Sequence, residues 1–166
     1  VIGLAVVSVP SAAILSARGA PPIHDITTDP DNPPPFVAIL PLRTGAANPP
    51  EYAGGDVTAQ QRRAYPDIQP LTLNVPVAQA FDRVRAAVRE LGWNVVASDR
   101  EAGRIEAVDS TFWFGFKDDV VIRVREAAAG STRIDVRSKS PAGVGGRGGN
   151  ARGVRNGAQP DQQTRD

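Results

Sequence analysis

Prolines set the first limit on how this chain can fold. Between residues 21 and 70 they stand at 21, 22, 30, 33, 34, 35, 41, 49, 50, 66 and 70. Each fixes its own φ, removes a backbone donor and pushes the preceding residue into extended geometry. Apolar side chains are sparse among them: Ile23, Ile26, Phe36, Val37, Ile39, Leu40, Leu42, Tyr52, Tyr65 and Ile68. Residues 20–70 therefore read as a Pro-rich extended strap. It cannot form a core alone, but it can dock on a neighbouring domain one side chain at a time. Phe36 to Leu42 is expected to add a short edge strand, a position where Pro41 is tolerated.

Residues 71–140 read as the folded unit. Leu71 to Val75 alternates apolar and polar as a strand does. Pro76 is expected at the first helical position. Val77, Ala80, Phe81, Val84, Val88 and Leu91 then fall on one face of a single long helix that Gly92 stops. Four more strands are predicted over Trp93–Ser98, Arg104–Thr111, Asp118–Arg125 and Arg133–Ser138. Ile105, Ala107, Val120, Ile122, Val124, Ile134 and Val136 point one way, and Glu106, Arg123, Arg125, Arg133, Asp135 and Arg137 the other. Short connections require antiparallel pairing. The fold class is α+β: an antiparallel sheet of about five strands, with one long helix on one face and arginines on the other.

The two ends differ from this middle. Val1 to Ala17 carries no charge before Arg18. With Val rather than Met in first place, residues 1–19 read as the truncated second half of a membrane anchor, or as the apolar region of a signal peptide. Either reading places the domain outside the cytoplasm. Residues 141–166 are Gly- and Arg-rich, then polar, with no apolar period, and are expected to be disordered.

Composition excludes several chemistries. With no Cys there are no disulfides, thiolate metal sites or cysteine nucleophiles. With His24 as the sole histidine there is no histidine cage, and no cofactor is expected. A net charge of +1 argues against bulk nucleic-acid binding. The stretch from Gly143 to Arg155 lacks the repeats of an arginine–glycine RNA tail.

Two clusters remain. Phe112, Trp113, Phe114 and Phe116, beside Lys117, Asp118 and Asp119, gather four of the nine aromatic residues, counting 2 Trp, 2 Tyr and 5 Phe, of a chain that is 5% aromatic. They suit a recognition edge for a protein or lipid partner. They suit better still a wide hairpin whose rings plug the sheet end, with Asp118 and Asp119 as turn residues. The second cluster is His24, Asp25, Thr27, Thr28 and Asp29. Its oxygens match a hard cation in type but lack the Gly and Glu of a calcium loop. The favoured reading is a segment held by Asx and Ser/Thr turns, with Asp25 and Asp29 bonded to nearby N–H groups. No catalytic constellation emerges: there is no nucleophile elbow, and adjacent Asp118 and Asp119 point to opposite faces of a strand.

Four blocks together resemble one bacterial family. They are Pro21 to Asp29, Asn48-Pro49-Pro50-Glu51-Tyr52, Tyr65-Pro66-Asp67-Ile68-Gln69-Pro70 and Thr111 to Asp119. The family is the one called "domain of unknown function 1499", and the resemblance runs from Pro21 to Ser140. It implies an apolar segment before the Pro-Pro-Ile-His block, in keeping with a membrane anchor, and brings no established activity. The family pattern also implies that Gly148 to Arg152 leads into an apolar helix. Here Val154-Arg155 begins one, but Asn156 to Asp166 has no apolar face, so part of the second sheet face is expected to lie uncovered.

The expected function is that of a membrane-anchored or exported binding module of the cell envelope, non-enzymatic, contacting its partner through the aromatic edge. The alternative is a metal-assisted or hydrolytic enzyme using His24 with Asp25, Asp29, Asp118 or Asp119.

Overall fold

The computed structural model describes residues 23–110, 117–142 and 154–155. Six strands form one antiparallel sheet: β1 (Asp25–Thr27), β2 (Leu71–Leu73), β3 (Asn94–Asp99), β4 (Arg104–Ser110), β5 (Lys117–Glu126) and β6 (Thr132–Lys139). The spatial order is β1-β6-β5-β4-β3, and β2 lies beyond β1 along the outer edge of β6. Two α-helices complete the described residues, α1 (Gly55–Ala64) and α2 (Val77–Glu90). The class is α+β with an antiparallel sheet.

The α2 stripe is buried as its spacing requires. Ala80, Phe81, Val84 and Val88 pack on Ile105, Ala107, Val120, Ile122, Val124, Ile134 and Val136. Each fully buried large side chain contributes about 1.5–3 kcal/mol. Pro76 is extended, with ψ 153°, so it caps the helix rather than opening it. Gly92 ends the turn at φ +74°, a conformation that side chains disfavour. Gly103, in the β3–β4 turn, sits at φ +61°, where a Cβ would collide with the Val124 carbonyl. The core also takes Ile23, Ile26, Tyr65, Ile68 and Val154 from either side of residues 71–140.

Three expectations need correction here. Residues 20–70 are not an uninterrupted extended strap, because α1 occupies the proline-free interval between Pro50 and Pro66. Its inner face is formed by Val57, Gln61 and Ala64, four and three residues apart. Among the described residues there are therefore two α-helices rather than one. Phe36 to Leu42 does not pair with the sheet edge: Leu40–Arg43 forms a 3-10 turn with Pro41 near its start. Phe36 and Ile39 instead pack on Val108 and Val121, on the face opposite α2. The added edge strand is β1, whose neighbours across β6 are Lys139, Ser138 and Arg137.

Much of that second face is covered, although Arg125 and Arg133 on it stay partly exposed. The chain from Asp29 to Tyr52 lies over it, making polar contacts to Glu106, Asp119, Arg137 and Lys139. Within the predicted disordered tail, Val154 is fully buried and Arg155 pairs with Asp67 at 2.5 Å. Residues 1–22 and 143–153, with the anchor reading and the rest of that tail, lie outside the described residues. Among the described residues no helix is long and apolar enough to cross a membrane.

Candidate functional site

Strand register gathers several of the predicted site residues at one end of the sheet. Ser110 pairs with Lys117, so β4 and β5 face each other up to the mouth of the Thr111–Phe116 connection. Phe112, Trp113, Phe114 and Phe116 belong to that connection and lie outside the described residues. Lys117 is exposed at the start of β5. Asp118 and Asp119 belong to β5 itself rather than to a turn.

Asp118 faces Asp109 on β4, and its Oδ1 accepts the Ser140 hydroxyl at 2.5 Å. The Ser140 N–H in turn donates to the His24 carbonyl at 2.9 Å. Asp109, Asp118, Ser140 and His24 therefore form one row across four neighbouring chain segments.

Burial raises the Asp118 carboxyl above its ordinary value. The Ser140 hydrogen bond opposes that shift and the neighbouring Asp119 charge adds to it. The folded chain thus holds this proton more tightly than the unfolded chain does. The stabilisation this gives is complete in acid and is lost as pH climbs from the ordinary Asp value of about 3.9 through the raised one. Asp118→Asn removes the cost of ionisation while retaining an oxygen for Ser140. It is expected to melt higher than the parent at pH 7 and to lose that advantage below about pH 3.5. Thermal scans across pH check this.

On the opposite face, Asp119 is buried and paired with Arg43, whose Nη2 and Nε approach it at 2.6 and 2.8 Å. Asp25 is fully buried between two cations: Arg137 donates to both its oxygens at 2.9 and 2.8 Å, and Lys139 Nζ lies 2.9 Å from Oδ2. Arg137 stacks over Phe36 and Tyr52 with ring centroids at 4.9 and 5.5 Å. This differs from the turn role expected of Asp25, because its partners are side chains on β6 rather than local N–H groups.

The turn reading describes the rest of that cluster more closely. Thr27 Oγ1 accepts the Asp29 N–H at 3.2 Å, and Asp29 Oδ1 accepts the Asn32 N–H at 3.1 Å. Thr28 Oγ1 accepts the Val136 N–H. Gln61 on α1 clamps the Thr27 backbone, accepting its N–H at 3.0 Å and donating to its carbonyl at 2.6 Å.

Two groups escaped the sequence reading. Glu106 is fully buried and accepts the backbone N–H groups of Val37, Ala38 and Ile39. Its signal was the one carboxylate on the non-helix face of Arg104–Ser110. Arg43 carried no local signal, since its partner lies 76 residues away. Among the described residues no group of three His, Asp or Glu side chains is gathered as a metal site requires.

A family model described as "Protein of unknown function (DUF1499)" matches residues 25–158, well over half of the chain. No curated protein matches it. Strand β1, the Tyr65 to Pro70 block and β4 to β6 all fall inside the matched span, and the chain belongs to the DUF1499 family.

Proposed function

We propose that the domain is a non-enzymatic binding module of the cell envelope. Val1 to Ala17 holds it to a membrane, and it touches a partner through Phe112, Trp113, Phe114 and Phe116, flanked by Lys117, Asp118 and Asp119. The observation that carries this reading is the row joining Asp118, Ser140 and His24. The aromatic connection leaves and re-enters the sheet at Ser110 and Lys117, beside that row. His24, just before β1, lies at this same end. Two strand spacings separate His24 from Asp118, about 10 Å. The seven steps from Ala17 to His24 reach at most about 25 Å when extended.

An apolar segment set in a bilayer would therefore hold the aromatic connection near the headgroups, where Trp side chains are favoured. The partner we favour is that lipid surface. Asp25, Asp29 and Asp119 already face cations, which weighs against a hydrolytic role with His24.

Trp fluorescence of the full chain in vesicles carrying brominated lipid tests the proposal. Quenching is expected, and it should disappear in Trp113→Phe, since the remaining Trp93 is buried in the core. Equal quenching in both proteins, or none in either, overturns the reading.

A further inference from the structure

The second face of the sheet sets arginine opposite arginine twice. Arg104 faces Arg123 across β4 and β5, and Arg125 faces Arg133 across β5 and β6. Like charges directly opposite destabilise an antiparallel pair. Two acids, Asp135 on β6 and Asp29 on the covering segment, offset part of that cost. Asp135 Oδ2 lies 2.9 Å from Arg123 and 3.3 Å from Arg125, and its Oδ1 accepts Arg133 Nε at 2.8 Å. Asp29 Oδ2 lies 2.9, 3.2 and 3.4 Å from Arg133, Arg123 and Arg125. A carboxylate oxygen has about two lone-pair sites, so Asp29 Oδ2 is oversubscribed.

Three cations thus stand over two carboxylates. Asp135 is fully buried, and Asp29 is 11% exposed. The least satisfied cation is Arg125, with contacts no shorter than 3.3 Å and a side chain 41% exposed. Three guanidiniums against two carboxylates leave the cluster with a surplus positive charge. Arg133 also borders a groove of about 440 Å³ between Thr28–Asp31 and Gln61–Pro70. Of the acids on that groove, Asp29 is engaged as described and Asp31 takes Arg62 Nη2 at 2.9 Å.

We propose that Arg123, Arg125 and Arg133 bind a phosphate group, the rest of a small phosphorylated molecule lying in the groove beside Arg133. Planar guanidinium forks match phosphate oxygens, and the buried acids fix those forks before a ligand arrives. Arg125 lies seven residues along β5 from Asp118, about 23 Å at strand rise. The site is therefore remote from the sheet end assigned to the membrane, and it stands or falls independently of that assignment.

Calorimetric titration of the full chain in zwitterionic detergent, at constant ionic strength, tests the proposal with inorganic phosphate and glycerol phosphate as probes. Saturable binding is expected, with glycerol phosphate the tighter. Arg125→Gln should weaken it about tenfold, the worth of a charge-assisted hydrogen bond. Its melting temperature should stay near that of the parent, because so exposed a pair adds little stability. Arg89→Gln, at an exposed position on α2, should bind as the parent does. In a separate arm, vesicles containing phosphatidylglycerol should bind Arg125→Gln and parent equally. Unequal vesicle binding would place the phosphate on a lipid headgroup and overturn the small-molecule assignment. Absence of saturable binding, or equal weakening by Arg125→Gln and Arg89→Gln, overturns the site.

Discussion

Asp25→Ala is expected to cost about 3–5 kcal/mol of folding stability, the usual loss when one partner is removed from a buried ion pair. Arg137 and Lys139 are each at most 5% exposed and would keep their charges with no carboxylate between them. Their other partners are carbonyls: Pro34 and Pro50 for Arg137, and Glu51 for Lys139. Those dipoles do not replace an anion. A domain of this kind has only about 5–15 kcal/mol in total, so the variant should melt well over 10 °C lower or fail to fold.

The two cations differ in what their removal does. Lys139→Met leaves Asp25 with the two-point Arg137 fork and removes the surplus positive charge, so its cost should be under about 2 kcal/mol. Urea unfolding of both variants measures the asymmetry. Equal losses would show that packing, not charge, holds this cluster together.

The same cluster shows where sequence reasoning reaches its limit. The alternation in Thr132–Lys139 separates Ile134 and Val136 from Arg133, Asp135 and Arg137, and the structure keeps that separation. Alternation tells which residues share a face, but not whether water or chain covers that face. Here the cover comes from the Pro-rich segment, whose Asp25 lies 112 residues from Arg137, and no local pattern links the two. The α2 helix was legible because five buried residues repeat at helical spacing and Gly92 ends them. The α1 helix was not. Gln61 is its one fully buried residue, its cap is Gly54 rather than a side-chain oxygen, and the surrounding prolines dominate the window.

The candidate site divides along the same line. That Asp118 and Asp119 oppose each other across the sheet follows from strand geometry alone. That one meets Ser140 and the other Arg43 depends on register and on a turn far away in the chain.

Glu106 is the second place where one substitution should have a large effect. Its two oxygens accept Val37 N–H at 3.1 and 3.2 Å, Ala38 N–H at 3.0 Å and Ile39 N–H at 3.0 Å. Arg104 Nε lies 3.0 Å from Oε1 but is misaligned for a hydrogen bond, so that contact is electrostatic. In Glu106→Ala, three N–H groups on the covering segment lose their acceptor, each at about 1–3 kcal/mol where it stays buried. The segment is therefore expected to lift from Val108 and Val121, and the total loss to settle near 4 kcal/mol.

Glu106→Gln separates hydrogen bonding from volume. It fills the same space, yet whichever oxygen it replaces then points an NH₂ at backbone donors. It should lose at least half as much stability as Glu106→Ala. In both variants amide exchange should quicken at Val37, Ala38 and Ile39 well before it does at the β5–β6 pairs. If Glu106→Gln is as stable as the parent, with those three amides still protected, then the apolar contacts of Phe36 and Ile39 alone hold the segment down, and the carboxylate is not its clamp.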